Sequence, residues 1–590
     1  MKKFLLGLLA GFVLAGLAVV ITFFAAVKLG DRKPSIPGDS VLVLRLEGSI
    51  PEQAPVDIPL PMFRAQAPMT MIELWALLHR AETDSRIKGV ILEPIGVSAG
   101  WAQLQEIRDG LLRVKKAGKP IYAFLRYPSA REYYLATAAT KIHATSEDIL
   151  YVKGLRAELE FYRRTLDKVG IKMEVETAGK YKDAGDQLSR DSMTPESREV
   201  LDSVLDAIYE HIVGAIAEGR NLTPERVRSL IDEGPFMAAV AREKGLLDEL
   251  QFEDEFYDSV KTALKLSELK KISHRDYSRS TGSADGTKVA FVVGEGPILR
   301  GMGGGDGFGE DLAIRSGNFM RLLREVGADD SVRGVVLRVN SPGGDAIASD
   351  EILREVRNLS KKKPMVISMS DVAASGGYYI AMTGDPVLAY PNTYTGSIGV
   401  VFTKPNIGGL YEKLGISVET MTRGKNADID SLLKPLTDRG RAKLREGIDR
   451  TYQTFLARVA EGRKKDKDSI HALAQGRVWL GSQAKSNGLV DELGGLDRAF
   501  ELLRTRAKLG KEEKLRIMPF PRRKSILEQV FGSGGSDLEQ LAARARLARW
   551  AHETGVDRVA GEAWKSGLLR PELWNSGAPL RLAPYTLRIQ

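Results

Sequence analysis

The sequence predicts an α/β protein in which one domain is built twice in tandem behind an N-terminal membrane helix. The chain opens with an uncharged run from Phe4 to Val27. Farther on, short strings recur at a fixed spacing: Gly89-Val-Ile-Leu92 resembles Gly334-Val-Val-Leu337, and Lys168-Val-Gly-Ile171 resembles Lys413-Leu-Gly-Ile416, each 245 residues later. Within each copy, β-branched strand patterns alternate with amphipathic helical patterns, which is typical of βαβ units.

The N-terminal run is long enough to cross a bilayer as a helix of about 20 residues. Two lysines precede it and three basic residues follow it within six positions. We expect a retained anchor over residues 4–27, because the apolar core of a cleavable signal peptide spans only about 7–15 residues. Ala25 and Ala26 leave cleavage open as the alternative. The short lysine tail favours a tail inside the cell and a body across the membrane.

The duplication defines the domain boundaries of the chain after the anchor. Gly245–Leu250 matches Gly488–Leu493 at a spacing of 243, so the register holds over much of each copy with only small gaps. We therefore divide the chain into an anchor over 1–37, a first half over 38–270, a polar linker over 271–286 and a second half over 287–508.

Strand and helix patterns are clearest in the second half. Buried strands are predicted at Val289–Val293, Gly334–Val339 and Met365–Met369, and a helix is predicted over Asp350–Leu359. The extension over residues 509–590 lies outside the duplication and its role stays open. An amphipathic helix over Asp537–His552 fits either membrane-surface or subunit contact, or simple packing.

Composition excludes several classes of function. The chain has no cysteine, which rules out a thiol nucleophile, disulfides and cysteine metal sites. Its six histidines are scattered without metal-ligand spacing, so we expect no metal and no cofactor. The formal charge of +9 is modest for this length, and we expect no nucleic-acid partner. Catalysis would then rest on serine, lysine, aspartate or glutamate.

Two glycine-rich turns in the second half follow predicted strands. Asn340-Ser-Pro-Gly-Gly-Asp345 contains adjacent glycines whose backbone N–H groups can point into a site. Ala373-Ala-Ser-Gly-Gly-Tyr-Tyr379 places Ser375 where a strand turns into a helix. The N–H groups at such a helix start favour developing negative charge, as an acyl-transfer oxyanion requires. The alternative is that Ser375 only caps the helix.

The two halves differ at these positions in a complementary way. Ala130 stands opposite Ser375, and Ala427 stands opposite Lys182. One half therefore keeps the serine and the other keeps the lysine. This asymmetry is what we expect if the site once formed between identical subunits and the fused chain needs only one working residue of each kind.

Lys182 is the candidate general base because no histidine lies near these motifs. A free lysine has a pKa of about 10.4, so it must be desolvated to reach roughly 7–8 before it can accept a proton from serine. Burial between the halves would supply this. A solvated surface lysine is the alternative for Lys182.

The motif G-x-Y-K in the first half, followed by N-S-P-G-G, A-S-G-G-Y and T-G-S-I-G in the second half, resembles the motif set of signal peptide peptidases of the SppA or protease IV family, peptidase family S49. The chain resembles the long, duplicated form of that family over the anchor and both halves. The resemblance implies a Clp-protease/crotonase-like fold in each half, Ser375 as nucleophile and Lys182 as general base. It also implies Ser397 as the hydroxyl that orients the lysine, and the N–H groups of Gly344 and Gly376 as the oxyanion hole.

The resemblance further implies peptide substrates, namely remnant signal peptides, and a homotetramer tethered to the bacterial inner (cytoplasmic) membrane by a single helix, with the body on the periplasmic side. A catalytically inactive membrane scaffold and a crotonase-like acyl-CoA enzyme are the alternatives. The sequence leaves open which residues set cleavage preference. It also leaves open whether Lys182 reaches Ser375 within one chain or across a subunit boundary.

Overall fold

The structure is a computed structural model that describes residues 11, 34–53, 68–280, 285–302, 313–522 and 580–582. Apart from Gly11, the predicted anchor over residues 4–27 lies outside this part of the chain, as does the predicted helix over 537–552. Among the described residues, no helix has the length and apolar character needed to span a bilayer.

The first half is built on a parallel sheet of six strands in the order β8-β4-β3-β2-β1-β9. Each connection returns the chain to the same edge of the sheet, so the central strands are covered on both faces and read as apolar runs, as in Ile121–Leu125. The strands of this half are β1 Ser40–Gly48, β2 Ile87–Val97, β3 Ile121–Leu125, β4 Lys141–Ala144, β5 Ile149–Leu150, β6 Lys172–Ala178, β7 Phe236–Met237, β8 Glu249–Leu250 and β9 Lys270–Ser273.

Helices cover the faces of this sheet and bury its apolar residues. The larger core lies under the three longest helices of this half, which cover Met71–Thr83, Trp101–Lys116 and Pro195–Arg220. A smaller core on the opposite face packs Phe124 against Phe256. The helices are α1 Met71–Thr83, α2 Trp101–Lys116, α3 Ala130–Ala136, α4 Arg163–Val169, α5 Asp186–Ser189, α6 Pro195–Arg220, α7 Pro224–Glu233, α8 Ala238–Glu243, α9 Glu253–Ala263 and α10 His274–Arg279.

The second half repeats this plan with a parallel path β20-β16-β15-β13-β10-β21. Its strands up to the sheet edge are β10 Thr287–Glu295, β11 Ile298–Leu299, β12 Ile314–Arg315, β13 Val335–Ser341, β14 Gly343–Asp345, β15 Met365–Ala374, β16 Val387–Ala389, β17 Tyr394–Gly396, β18 Val400–Asn406, β19 Val478–Leu480, β20 Glu492–Leu493 and β21 Leu515–Phe520; a last strand, β22, covers Leu580–Leu582. Its helices are α11 Ser316–Ala328, α12 Ala346–Lys362, α13 Gly376–Ile380, α14 Gly408–Lys413, α15 Asp438–Arg463, α16 Lys467–Leu473, α17 Gly481–Asn487 and α18 Leu496–Arg506.

The predicted α/β class and the tandem repeat of one domain are confirmed. The three strands predicted in the second half are β10, β13 and β15, and the predicted helix lies inside α12. The two sheets share one strand order, so the repeat seen in the sequence is a repeat of the fold.

In the structure, each half extends beyond the boundary that the sequence predicts for it. The segment 271–286 was predicted to be a linker, but it begins inside β9, which pairs with β1, and continues into α10, where Tyr277 is fully buried. The matching strand β21 pairs with β10, so the second half extends to Phe520. The strand β9 has only four residues, two of them lysines, and β21 contains a proline, so neither sequence pattern identifies a strand of the sheet.

A third sheet joins the two halves. Its order is β12-β11-β14-β22-β18-β6, so a strand of the first half, β6, pairs with a strand of the second half, β18. The pairing is antiparallel and continuous over seven residue pairs. This shared sheet fixes how the halves are placed around the site described below.

A buried ion cluster lies at a second junction between the halves. The Arg338 guanidinium in β13 is fully buried and donates to Glu52, 2.8 Å away, and to Glu106, 2.7 Å away, both from the first half. Glu295 lies beside this cluster and accepts the backbone N–H of Gln53 at 2.8 Å. Paired charges of this kind fix the register of the junction, because an unpaired buried charge would be costly.

Glu295 gives this junction a predicted pH dependence. Burial, with the nearby Glu52 carboxylate, raises the pKa of Glu295 to about 7, whereas a glutamate in an unfolded chain has a pKa of about 4.3. Between these pH values the folded state holds a proton that the unfolded state has lost. The free energy of unfolding should therefore fall as the pH rises through this window and level off above it.

We expect the Glu295→Gln variant to lack this loss. Between pH 5 and pH 8, wild type should lose about 2 to 3 kcal/mol more than the variant in free energy of unfolding. Urea denaturation at the two pH values measures the difference. The amide keeps an acceptor for Gln53, so it is a conservative control for shape. Parallel pH profiles for the two proteins would contradict the prediction.

Candidate active site

Ser375 lies directly after the last residue of β15, where the chain turns into α13. Its backbone dihedrals, φ 55° and ψ −118°, lie in a region that residues other than glycine rarely adopt. The conformation is held because the Ser375 N–H donates to the Gly396 carbonyl at 2.8 Å, and the Ser375 carbonyl accepts from the Tyr379 N–H at 2.9 Å. The hydroxyl does not cap α13. The helix-cap alternative for this serine is therefore not what the structure shows.

The two glycine turns lie side by side next to this serine. Gly344 has φ 155°, and a Cβ placed on it would lie 2.0 Å from the carbonyl oxygen of Ile298, so no side chain fits there. A Cβ on Gly376 would lie 3.1 Å from the Gly344 amide nitrogen and 2.7 Å from Ser349 Oγ. The backbones of the two turns thus approach each other to a distance that only glycine permits.

Lys182 reaches this point from the first half because of the shared sheet. β6 ends at Ala178, which pairs with Val400 at the start of β18. Since the strands are antiparallel, the loop that follows β6 and the loop that precedes β18 meet at the same end of the pair. The first loop carries Lys182 and the second carries Ser397.

Close backbone contacts hold the lysine loop in place. The Tyr181 N–H donates to the Gln475 carbonyl at 2.8 Å. A Cβ on Gly179 would lie 2.3 Å from the Gln475 backbone, and a Cβ on Gly476 would lie 2.6 Å from Lys182. Sequence reasoning missed Gln475 and Gly476. The only available signal was a glycine in a turn, which does not show that two distant loops touch.

The three side-chain groups converge in a buried site. Lys182 Nζ lies 3.0 Å from Ser375 Oγ, 2.9 Å from Ser397 Oγ and 3.1 Å from the Ser397 carbonyl oxygen. Lys182 is 2% exposed and both serines are fully buried. A neutral amine has two N–H donors and one lone pair. Two contacts with Ser397 can use the donors, which leaves the lone pair for the Ser375 hydroxyl.

The equivalent turn in the first half is an ordinary helix start. Ser129 caps α3, its Oγ accepting the Arg131 N–H at 3.3 Å, and Glu132 completes a capping box. Ala130 occupies the position that matches Ser375. The first half therefore carries a structural serine one residue away from the position where the second half carries the buried hydroxyl.

Asn340 in β13 and Asp371 in β15 also position this turn, and sequence reasoning assigned neither of them a role. Asn340 Oδ1 accepts the Val372 N–H at 3.2 Å. The Asp371 carboxylate accepts the N–H groups of Gly100 at 3.0 Å and Gln103 at 2.9 Å, at the start of α2. Burial raises the pKa of Asp371 to about 6. The strand that carries Ser375 is thereby attached to the first half.

Strand β22 lies between β14 and β18 in the shared sheet. It runs antiparallel to β14, with Gly343 opposite Leu582 and Gly344 opposite Arg581, and Leu580 is opposite Val401 of β18. The two edges that flank the buried serine and lysine therefore accept an extended backbone. Such strand addition is a common mode of peptide recognition.

Comparison with known proteins finds one peptidase family in both halves and similar proteases over most of the chain. The model of "Peptidase family S49" matches residues 113–267 and 357–510, once in each half. A chloroplast serine protease SPPA of Arabidopsis thaliana is 33% identical over 508 residues, which cover 85% of this chain and 74% of the relative. Protease 4 of Haemophilus influenzae is 30% identical over 83% of this chain and 82% of the relative. Protease 4 of Salmonella typhi is 28% identical over 79% and 76%, respectively.

Proposed function

This chain belongs to peptidase family S49 and is a serine protease, and from that premise we propose that it is a membrane-anchored endopeptidase with a serine–lysine dyad. Its substrates are cleaved signal peptides and other short apolar peptides. The observation that carries the proposal is the 3.0 Å contact between Lys182 Nζ and Ser375 Oγ. The repeated parallel sheet supports a Clp-protease/crotonase-like fold for each half.

The first step is acylation. Ser375 Oγ attacks the scissile carbonyl carbon while its proton passes to the neutral amine of Lys182. Burial favours the neutral amine, because desolvation disfavours the charged form. The N–H groups of Gly344 and Gly376 donate to the oxyanion that forms on the carbonyl oxygen. The lysine then returns the proton to the leaving amine, the C–N bond breaks, and an ester with Ser375 remains.

The second step is hydrolysis of that ester. A water molecule attacks the acyl carbon and gives its proton to Lys182, and the Ser375 oxygen leaves and takes the proton back. Ser397 holds the amine in line throughout, by its hydroxyl and its carbonyl. No metal or cofactor takes part in these steps.

Hydrolysis of a leucine- and alanine-rich reporter peptide by the full chain in mild detergent tests this function. We expect cleavage inside the peptide and a burst of the first product, because an acyl-enzyme accumulates. A folded chain that cleaves no apolar peptide, and releases no product burst, would contradict the proposal.

Ser397 gives a sharper test of how the lysine is held. We expect Ser397→Gly to lower kcat about 10- to 100-fold and leave KM unchanged, because the hydroxyl contacts the base and lies buried beneath it. Glycine suits the Ser397 φ of 49°, so this variant removes the hydroxyl without backbone strain. Steady-state kinetics of Ser397→Gly and Ser397→Ala separate the loss of the hydroxyl, which both variants share, from the backbone strain, which only the alanine variant adds. A normal kcat in the glycine variant would show that the hydroxyl is not needed.

Strand β22 tests where the substrate binds. If peptides add to the edge of β14, β22 competes with them, and weakening β22 should raise kcat/KM for a short reporter. Arg581→Pro removes the backbone N–H of the residue that pairs with Gly344, which weakens β22, and we expect a rise of about fivefold, which corresponds to the loss of about one hydrogen bond. Arg581→Ala keeps the donor and is the matched control. Equal values for the two variants would place substrate elsewhere.

A further inference from the structure

We propose that Glu52 of the first half is a positioning residue for the reaction at Ser375, and that it acts through a bulge in β15, formed by residues Ser370–Val372. The inference rests on Ser375 as the nucleophile of the proposed function. In this arrangement, the half that supplies the lysine also holds the strand that carries the serine.

The bulge interrupts the pairing of β15 with β13. Val339 lies opposite Met369, and the next pair is Ser341 opposite Ala373. One residue of β13 therefore faces three residues of β15 between these two pairs. A bulge bends its strand and re-aims the side chains that follow, and bulges are over-represented next to active sites.

The bulge moves β15 from one neighbouring strand to another. Before the bulge the strand pairs with β16, and after it Ala374 lies opposite Gly396 of β17. Ser375 directly follows Ala374, and Ser397 directly follows Gly396. The path of β15 through the bulge therefore decides how the two serines of the site are placed relative to each other.

Glu52 holds the first residue of the bulge. The Ser370 hydroxyl donates to Glu52 Oε1. The same oxygen accepts Arg338 Nη2 at 2.8 Å and Gln103 Nε2 at 3.1 Å. Glu52 is 1% exposed, so these bonds are shielded from water, where a hydrogen bond is electrostatically stronger than in solvent. The carboxylate thereby ties Ser370 to the first half.

The other two bulge residues are held from the same side. The Asp371 carboxylate accepts N–H groups at the start of α2. The Val372 N–H donates to Asn340, whose side-chain amide donates to Glu295 Oε1 at 3.2 Å. Glu295 in turn accepts the backbone N–H of Glu52 at 3.2 Å. All three residues of the bulge are therefore bonded to the first half, either directly or through Asn340 and Glu295.

The first half has no nucleophile at its own turn, and it also lacks this polar set. Each polar residue of the set is replaced there by an apolar residue or by one of opposite charge. At the spacing of 245, the counterparts of Arg338, Asn340, Ser370 and Asp371 are Glu93, Ile95, Leu125 and Arg126. The set therefore occurs in the copy that carries the serine, as we expect if it serves the nucleophile.

A small displacement of the bulge is enough to slow the reaction. Ser375 must present its oxygen to Lys182 Nζ, now 3.0 Å away, and a misplacement of about 1 Å can cost about 100-fold in rate. Without Glu52, the bulge is no longer tied at Ser370. The edges of β14 and β18, where we expect an extended substrate to bind, lie outside the bulge. The expected effect is therefore on kcat and not on KM.

Glu52→Ala and Glu106→Ala are a matched pair of variants. Each removes one of the two carboxylates that bind Arg338, at 2.8 Å and 2.7 Å, but only Glu52 also binds the bulge. We expect Glu52→Ala to lower kcat about 10- to 100-fold with KM unchanged, and Glu106→Ala to keep kcat near wild type. Steady-state kinetics of the full chain in mild detergent on the reporter peptide measure both. Urea denaturation verifies that both variants fold.

Ser370→Ala tests the same path without removing a charge from the ion cluster. We expect it to lower kcat with KM unchanged, as Glu52→Ala does. The double variant should be no slower than the slower single variant, because residues that act through one contact are not additive. Glu52→Gln keeps an acceptor oxygen for Ser370 and should retain most of the wild-type kcat.

The rate at which a fluorophosphonate probe labels the full chain reports on the serine without any peptide. We expect wild type to be labelled, Ser375→Ala to stay unlabelled, and Glu52→Ala and Ser370→Ala to be labelled about 10- to 100-fold more slowly than wild type. Labelling of Ser375→Ala at the wild-type rate would overturn the proposed function together with this inference. If only Ser375→Ala fails to label, and Glu52→Ala and Ser370→Ala react as fast as wild type, the inference alone is overturned. A Glu106→Ala protein as slow as Glu52→Ala would also overturn it.

Discussion

Replacing Ser375 with alanine is expected to abolish peptide hydrolysis, with kcat falling by about four to six orders of magnitude. The alanine lacks the oxygen that forms the acyl-enzyme, so neither step of the reaction can proceed through it. The side chain is fully buried and does not cap its helix, so the fold should be retained. Hydrolysis of the reporter peptide and mass spectrometry of the trapped acyl-enzyme both measure the loss.

Ser129→Ala is the matched control for that variant. It removes the serine at the equivalent turn of the first half, where the hydroxyl caps α3. We expect the free energy of unfolding to fall by about 1 kcal/mol. We expect kcat to stay at the wild-type value. A Ser375→Ala protein that still forms a covalent acyl adduct would show that another residue is the nucleophile.

Replacing Lys182 with methionine is the second change with a large expected effect. Methionine keeps most of the aliphatic stem but has no amine, so Ser375 loses the group that accepts its proton. We expect kcat to fall by about three to four orders of magnitude, the usual worth of a general base with its nucleophile. Steady-state kinetics near neutral pH measure the effect, and circular dichroism verifies that the buried site still folds.

Two comparisons make the Lys182 result specific. Lys180→Ala removes a neighbouring lysine that lies over the Tyr181 ring, with Nζ 4.7 Å from the ring centroid, and should leave kcat near wild type. The double variant Lys182→Met/Ser375→Ala should be no slower than Ser375→Ala alone, because residues that act as a unit are not additive. Full activity in Lys182→Met would place the base elsewhere.

The sequence was enough to predict the duplicated α/β fold and to select Ser375 and Lys182, which the structure brings together. Ser397 came from the family resemblance, and the structure places it with them. For Ser375 and Lys182 the signal lies in the two copies themselves. The reason is that a duplication makes its own comparison. A serine kept in one copy and a lysine kept in the other stand out against the alanines opposite them. Gly344 and Gly376 were selected as glycine turns, and their backbones lie next to each other.

What the sequence could not predict depends on contacts between distant segments. The β6–β18 pairing decides that Lys182 reaches Ser375 within one chain, yet neither strand shows its partner in its own pattern. Arg338 is a charged residue inside a strand that the sequence predicts to be buried, and its burial depends on Glu52 and Glu106 of the other half, which pair with it there. The predicted anchor and the Asp537–His552 helix stay predictions.

The central claim is that the two halves of one chain supply one site, the lysine from the first half and the serine from the second. Production of Ser375→Ala and Lys182→Met chains in one cell, followed by purification of mixed assemblies through two tags, tests it most directly. We predict no peptide hydrolysis above the level of either variant alone, because no chain then holds both residues. Recovery of a quarter or more of wild-type activity in the mixed assemblies would contradict the account, since it would require a lysine of one chain to serve a serine of another.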